Sequence, residues 1–346
     1  MKARGREAAM GVDRRRVVLR GVCAVVLVCL VLAGAYALGR ALERAGEPPP
    51  VRGDLAGRFT PPPRVTYEGE EYSPRAHLTT LLLQGIDQPA PGTPGTGYRN
   101  GGQADFLLLL VLDHDAKRVS ALQIDRDTMA QITTLGVLGQ VSGTRTAQIC
   151  LAHGFGDGGA QSAGYTVDAV RALLLGAPID FYIAMRLDGI GTLNDALGGV
   201  TVTLADDFTA LDPAMARGAT LTLRGEQAAH YTRQRLGIGL GTNAARMQRQ
   251  QDYLHRAGAL LTAAVQDSGQ FAGTLLDTLA PYLHTDIPRG RLVNEAWLTR
   301  AYARADIAQL AGTHVSGADG YIEFHADPHA LTRTVLALFY DRVEDD

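Results

Sequence analysis

From residue 78 onward, short apolar runs alternate with stretches of helical periodicity, the pattern of a domain in which helices cover a sheet. Residues 78–85, 106–112 and 119–124 are predicted strands. The second reads FLLLLVL, apolar at every position, and is predicted to be buried on both faces. Helical spacing follows at 166–175, which stops at Gly176-Ala177-Pro178, and at 189–197, with another strand at 200–204. The longest predicted helix covers 243–265, its apolar side running through Met247, Leu254 and Leu261. Beyond it, 271–283, 292–302 and 330–340 read as helices and 321–324 as a short strand, all within the same domain. The fold class is therefore α/β, with one domain over 78–346.

Upstream the pattern changes character. Residues 21–39 are uncharged and mostly apolar, while residues 1–20 hold seven Lys and Arg against Glu7 and Asp13. As a helix, nineteen residues span roughly 28 Å, enough for a bilayer core. The basic flank places residues 1–20 in the cytoplasm and the rest of the chain outside the cell membrane, a single-pass anchor. The run is longer than a signal-peptide core, which favours retention over cleavage near Ala35-Tyr36-Ala37. Residues 40–77 are rich in Pro and Gly and read as a spacer.

Composition narrows the classes further. The chain has 346 residues, 46% of them hydrophobic, and a net charge of −3, so it is globular. Once the basic tail is set aside the remainder is clearly acidic, which argues against a nucleic-acid partner. Cys23 and Cys29 sit in the apolar run and Cys150 stands alone, so no disulfide framework is expected; Cys150 reads as a small buried residue. No G-x-S-x-G elbow, P-loop or H-E-x-x-H is present.

The densest chemistry lies in 225–251, GEQAAHYTRQRLGIGLGTNAARMQRQQ, where Arg233, Arg235, Arg246 and Arg249 face one acid, Glu226. Guanidiniums beside a helix start that Thr242 or Asn243 caps form a site for a multiply charged anion such as pyrophosphate. Arg246, Arg249, Gln250 and Tyr253 recur at helical spacing and are predicted to project from one face. Asp87 follows the first strand and Asp105 precedes the second. If the strands are antiparallel neighbours, both carboxylates reach one mouth of the sheet, a donor pair suited to Mg²⁺ shared with a diphosphate. Arg126-Asp127 follows the third strand, where Asp127 is expected to orient Arg126 or a nearby arginine through a bidentate pair.

These motifs resemble the LytR-CpsA-Psr (LCP) family: Gly225-Glu226-Gln227-Ala228, Tyr231-Thr232-Arg233-Gln234-Arg235, Arg246 and Arg249-Gln250-Gln251. Upstream, GIDQ at 85–88, ADFLLLLVLD at 104–113, IDRDT at 124–128, QICLAHGFGDG at 148–158 and the segment 176–202 follow in the family's order. The resemblance covers roughly 78–265. It implies a three-layer α-β-α fold with a central mixed β-sheet, behind a single transmembrane helix. It implies an extracytoplasmic enzyme that moves a glycopolymer from a polyprenyl-pyrophosphate carrier onto a peptidoglycan acceptor. It also implies Asp87 and Asp105 as Mg²⁺ ligands, and Arg126, Arg233, Arg235, Arg246, Arg249 and Gln250 as pyrophosphate-binding residues, with Asp87 or Asp127 as base.

The chain departs from the family at two points. Gln103-Ala104 stands where many members have an arginine before the second aspartate, so Arg99 is the substitute candidate. Leu240 stands where relatives often place an acid before Gly-Thr-Asn. Two other readings use the same residues: a sensor that binds polyprenyl phosphates without turnover, and a pyrophosphatase that uses water as acceptor.

Overall fold

The computed structural model describes residues 63–88, 101–136, 139–267 and 269–344. The apolar run at 21–39, most of the spacer and Arg99 lie outside these residues. No helix among the described residues is long and apolar enough to cross a membrane.

In chain order the strands begin with β1 (Val65–Tyr67), β2 (Glu70–Pro74), β3 (Leu78–Asp87), β4 (Gln103–Asp113), β5 (Arg118–Ile124), β6 (Met129–Leu135) and β7 (Val141–Gln148). Helix α1 (Ala160–Leu173), β8 (Phe181–Arg186), α2 (Ile190–Ala196), β9 (Thr201–Thr203), β10 (Thr220–Thr222), α3 (Glu226–Arg233) and α4 (Asn243–Asp267) follow. The chain continues through α5 (Gly269–Leu279), β11 (Leu283–Thr285), α6 (Arg289–Thr299), β12 (Ala303–Gln309), β13 (Gly312–Ser316), β14 (Ile322–Ala326), α7 (Pro328–Phe339) and β15 (Tyr340–Arg342).

Where the sequence pattern predicts one domain over 78–346, the contacts divide the chain into two compact units. The first, a sheet unit, holds the described residues up to Leu187 with Leu283–Ile287 and the residues from Ala301 on; the second, a helical unit, holds Asp188–Tyr282 and Pro288–Arg300.

The sheet unit is built on six strands in the order β11-β8-β3-β4-β5-β12. β3 and β5 flank β4 antiparallel, while β8 joins β3 and β12 joins β5 in parallel, so the sheet is mixed. Successive side chains of a strand point to opposite faces. Leu107, Leu109 and Val111 of β4, Leu82 and Ile86 of β3, and Leu122 and Ile124 of β5 share one core cluster. Val167 and Val170 of α1 and Val335, Leu338 and Phe339 of α7 pack in the same cluster. Leu108, Leu110 and Leu112 point the other way and are buried too, so β4 is dry on both faces, as its unbroken apolar run predicts.

Several elements differ from the pattern-based expectation. β1 and β2 occupy the end of the segment read as spacer, and β2 pairs with β15, tying the start of the described chain to its C-terminal strand. α1 begins at Ala160 rather than 166, because Asp157 accepts from the amides of Gly159 (2.8 Å) and Ser162 (3.3 Å) and so starts the helix early. α7 begins with Pro328 after Asp327, whose carboxylate accepts from Ala330 N at 2.7 Å. The hairpin β6–β7 was not predicted: β7, VSGTRTAQ, is exposed at nearly every position and has no apolar alternation to betray it.

His153, in the short helix Ile149–Phe155, is 1% exposed, and its Nδ1 lies 2.7 Å from Gly101 O. Burial, outweighing the bond to Gly101 and the charge of Asp157, lowers its pKa from the ordinary 6.5 to about 4. The unfolded chain therefore takes up a proton that the folded chain refuses. The stability this contributes is complete above pH 6.5 and is lost as pH falls toward 4. Thermal melts over that window should fall steeply in the wild type and less so in His153→Gln, provided both fold at pH 7.5.

Candidate functional site

The residues singled out from the sequence fall in both units, and each group is organised within its own. In the sheet unit, β3 and β4 are antiparallel neighbours, which is the condition for Asp87 and Asp105 to share one end of the sheet. The register steps from Gly85↔Phe106 to Ile86↔Ala104, leaving Asp105 as the extra residue of a β-bulge. A bulge re-aims the side chain it carries. The C-terminal end of β5 lies at the same end, since Ile124 pairs with Leu107, and the turn after it carries Arg126 and Asp127.

That turn is held from inside. Asp125, 6% exposed, accepts from Asp127 N at 2.8 Å through one oxygen and lies 2.8 Å from His314 Nε2 through the other. Thr128 Oγ1 donates to Asp125 O at 2.6 Å, and Phe324 N donates to Asp127 O at 2.8 Å. The β13–β14 hairpin thus pins the turn that presents Arg126.

The Arg126 guanidinium donates from Nη1 to Asp105 and from Nη2 to Gln103 Oε1, with Cys150 Sγ 3.3 Å from Nη2. Its contact with Asp127 is one Nε–Oδ1 approach of 3.4 Å. The expected bidentate Arg126–Asp127 pair is therefore corrected: two residues of β4 orient the fork, and Asp127, 4% exposed, also accepts from Gln148 Nε2 at 3.3 Å. Burial opposes the charge on Arg126, but Cys150, Asp105 and Asp127 outweigh it and raise its pKa above the ordinary value. The guanidinium stays charged in a half-covered setting, where its field is weakly screened.

Cys150 is fully buried, as expected, and burial pushes its thiol up to about 12 despite the opposing charge of Arg126. Alkylation by iodoacetamide at pH 8, followed at the Cys150 peptide, should be negligible in the folded protein and complete in denaturant. Fast native labelling would mean that Arg126, rather than burial, sets the thiol's character.

Asp87 is exposed at the end of β3, and Asp105 is half-buried beside Arg126. No group of three or more His, Cys, Asp or Glu among the described residues is placed to share a metal ion. Two hard carboxylate oxygens at one sheet end suit an ion that takes one or two protein ligands and completes its shell with water and phosphate, as Mg²⁺ does.

In the helical unit, Thr242 Oγ1 accepts from Ala245 N at 3.2 Å, so Thr242, one of the two predicted caps, closes the start of α4. The α4 face of Arg246, Arg249, Gln250 and Tyr253 is buried at all four positions. It is an internal polar seam, not an open grip. Arg249 donates from Nε to Tyr231 O (3.1 Å), from Nη1 to Asp206 (3.0 Å) and from Nη2 to Gln234 O, and lies over the Phe208 ring. Gln250 Nε2 donates to Thr232 O at 3.1 Å. These carbonyls are at the C-terminal end of α3, where helix carbonyls lack intrahelical partners. Arg249 and Gln250 therefore cap α3 and fix the backbone on both sides of Arg233.

Arg246 is 5% exposed and donates from Nη2 to Asn243 Oδ1 at 2.5 Å. Arg233 and Arg235 are partly exposed. The loop after α3 passes through Gly237, Gly239 and Gly241, all at positive φ, and leaves Leu236 and Leu240 73% and 84% exposed. A Cβ on Gly239 would lie 2.3 Å from Asp206 Oδ1, the Arg249 partner, so only glycine fits there. Sequence reasoning missed Gln103, Asp125, Asp206 and His314. Gln103 alone carried a signal, as the departure from the family at that position.

The fold is mixed α/β, with Asp87, Asp105 and Arg126 at one end of the sheet and a second arginine group around two helices of the helical unit. Residues 67–336 match the LytR_cpsA_psr family, and the chain belongs to it. One relative, the polyisoprenyl-teichoic acid–peptidoglycan teichoic acid transferase TagU of Halalkalibacterium halodurans, is 26% identical over 77% of this chain and 78% of its own. The protein of the same name from Bacillus mycoides is 28% identical over 75% and 77%. Among solved structures, B. subtilis TagV matches with TM-score 0.57 at 22% identity, over 75% of this chain and 95% of that one. TagT bound to LI-WTA matches with TM-score 0.56 at 21% identity, over 75% and 89%. These structures show the fold.

Proposed function

We propose that this protein is a membrane-anchored transferase that moves a glycopolymer from a polyprenyl-pyrophosphate carrier onto peptidoglycan. The names of the TagU relatives supply the reaction class. The observation that carries the reading is Arg126, held charged between Asp105 and Gln103 at the sheet end where Asp87 also stands.

In this reading Asp87 and Asp105 hold Mg²⁺, which supplies charge neutralisation to the bound pyrophosphate. The acceptor hydroxyl oxygen bonds to the phosphorus next to the glycopolymer, and the bridging P–O bond breaks with polyprenyl phosphate leaving. Arg126 stabilises the negative charge that builds on that leaving group, the largest contribution a protein makes to such a step. Within the helical unit, the partly exposed Arg233 and Arg235 are the arginines placed to meet phosphate, with Arg246 buried behind them. Gln250 and Arg249 act one step back by fixing α3. Asp87, exposed, fits the base better than Asp127, whose burial against Arg126 suits orientation. Leu236 and Leu240, exposed in the loop that carries Arg235, suit a substrate whose phosphate is attached to an isoprenoid. The reading also includes the anchor at 21–39, a cytoplasmic tail at 1–20, an extracytoplasmic domain and a three-layer arrangement around the mixed sheet.

The test is to incubate the full chain in proteoliposomes with a labelled lipid-linked oligosaccharide, Mg²⁺ and peptidoglycan fragments. Label is expected in the peptidoglycan, and should be lost with EDTA and in Asp105→Ala. Phosphate release without transfer would make the protein a pyrophosphatase. Tight carrier binding with neither product would make it a sensor.

A further inference from the structure

The arginine groups above leave unused a patch on α6, in the helical unit. This helix buries Leu292, Glu295, Ala296 and Thr299. Its other side exposes Val293 (44%), Trp297 (50%) and Leu298 (41%), with Val293 and Trp297 one turn apart. Trp297 is the only tryptophan in the chain. The Arg300 guanidinium stacks 3.5 Å above its ring, and Nη1 donates to Trp297 O. Arg289 and Arg291 stand at the other end of the helix. The helix's one acid, Glu295, is 2% exposed and paired with Arg291 at 2.9 Å. The outer face therefore combines an indole, two aliphatic side chains and the Asn294 amide, with arginines toward both ends and no exposed acid on the helix.

We infer that this face of α6 docks on the surface of an anionic lipid bilayer. Indole rings settle at the headgroup boundary, where the apolar body and the N–H are both satisfied. Guanidiniums complement lipid phosphates, and the aliphatic neighbours enter the acyl boundary. A glycan platform would set the indole among several polar acceptors; here Asn294 is the one exposed amide on a face that is otherwise aliphatic and cationic. The inference rests on the proposed anchor at 21–39: the chain from there to residue 63 reaches at most roughly 80 Å, so the described units never leave the neighbourhood of the bilayer.

The single tryptophan makes the test direct. The full chain is reconstituted in vesicles containing anionic lipid, with ordinary or brominated acyl chains, and Trp297 emission is read after flotation. A blue shift and loss of intensity in brominated vesicles are expected, both abolished by joint Val293→Glu and Leu298→Glu, exposed positions that leave the core intact. Protein that floats but keeps its full emission overturns the docking face and leaves the anchor standing. Protein that fails to float overturns both. A spectral response to soluble peptidoglycan fragments with no bromine quenching assigns the patch to glycan and overturns the lipid. Transfer is measured in parallel, so loss of the transferase reading alone does not touch this result.

Discussion

Arg126→Ala is expected to lower glycopolymer transfer by about a thousandfold, the effect of removing one preorganised charged donor from a developing anion. Stability should fall as well, because Asp105 and Asp127 would be left facing each other without the cation between them. Removing one partner of a largely buried ion pair costs about 3 kcal/mol. The two effects separate in Arg126→Lys. A lysine keeps the charge near Asp105 but has no fork to reach Gln103 and Asp105 together, so the melting temperature should recover most of its loss while transfer stays at least about tenfold down. Equal transfer by wild type and alanine variant, at matched folded fractions, would remove Arg126 from the reaction. Asp125→Ala offers an independent check: it frees the turn from His314 and the Asp127 amide, so it should slow transfer while leaving the Arg126 contacts chemically possible.

The central strands were legible because β4 carries an unbroken apolar run, which burial on both faces keeps out of water, and because β3 and β5 are mostly apolar beside it. β7, β12 and β13 were not legible, being polar and mostly exposed, whereas β9 and β14, each with one buried residue, fall in segments predicted as strands. The same division runs through the candidate site. Asp87, Asp105 and Arg126 were singled out because they match the family's motifs at the ends of readable strands, whereas the bulge that turns Asp105 and the hairpin residue His314 that holds Asp125 depend on tertiary register. Four arginines in one stretch looked equivalent as sequence. Burial splits them, since charge counts report how many guanidiniums are present and not which carbonyls they must satisfy.

Arg249 is where that split has its largest expected consequence. Arg249→Ala should destabilise the protein by about 3 kcal/mol, because Asp206 loses its cation and the carbonyls of Tyr231 and Gln234 lose their donor at once. Arg235→Ala, at a partly exposed position, should leave stability within about 0.5 kcal/mol and reduce transfer by about a hundredfold. Denaturant melts and transfer assays on the pair therefore move in opposite proportions. If Arg249→Ala melts like wild type and loses transfer as Arg235→Ala does, Arg249 contacts substrate and its bonds to α3 are incidental. If the expected pattern holds, the arginine of the family's RQQ triplet is the residue that shapes α3, and the charge presented to the carrier comes from the arginines whose backbone it fixes.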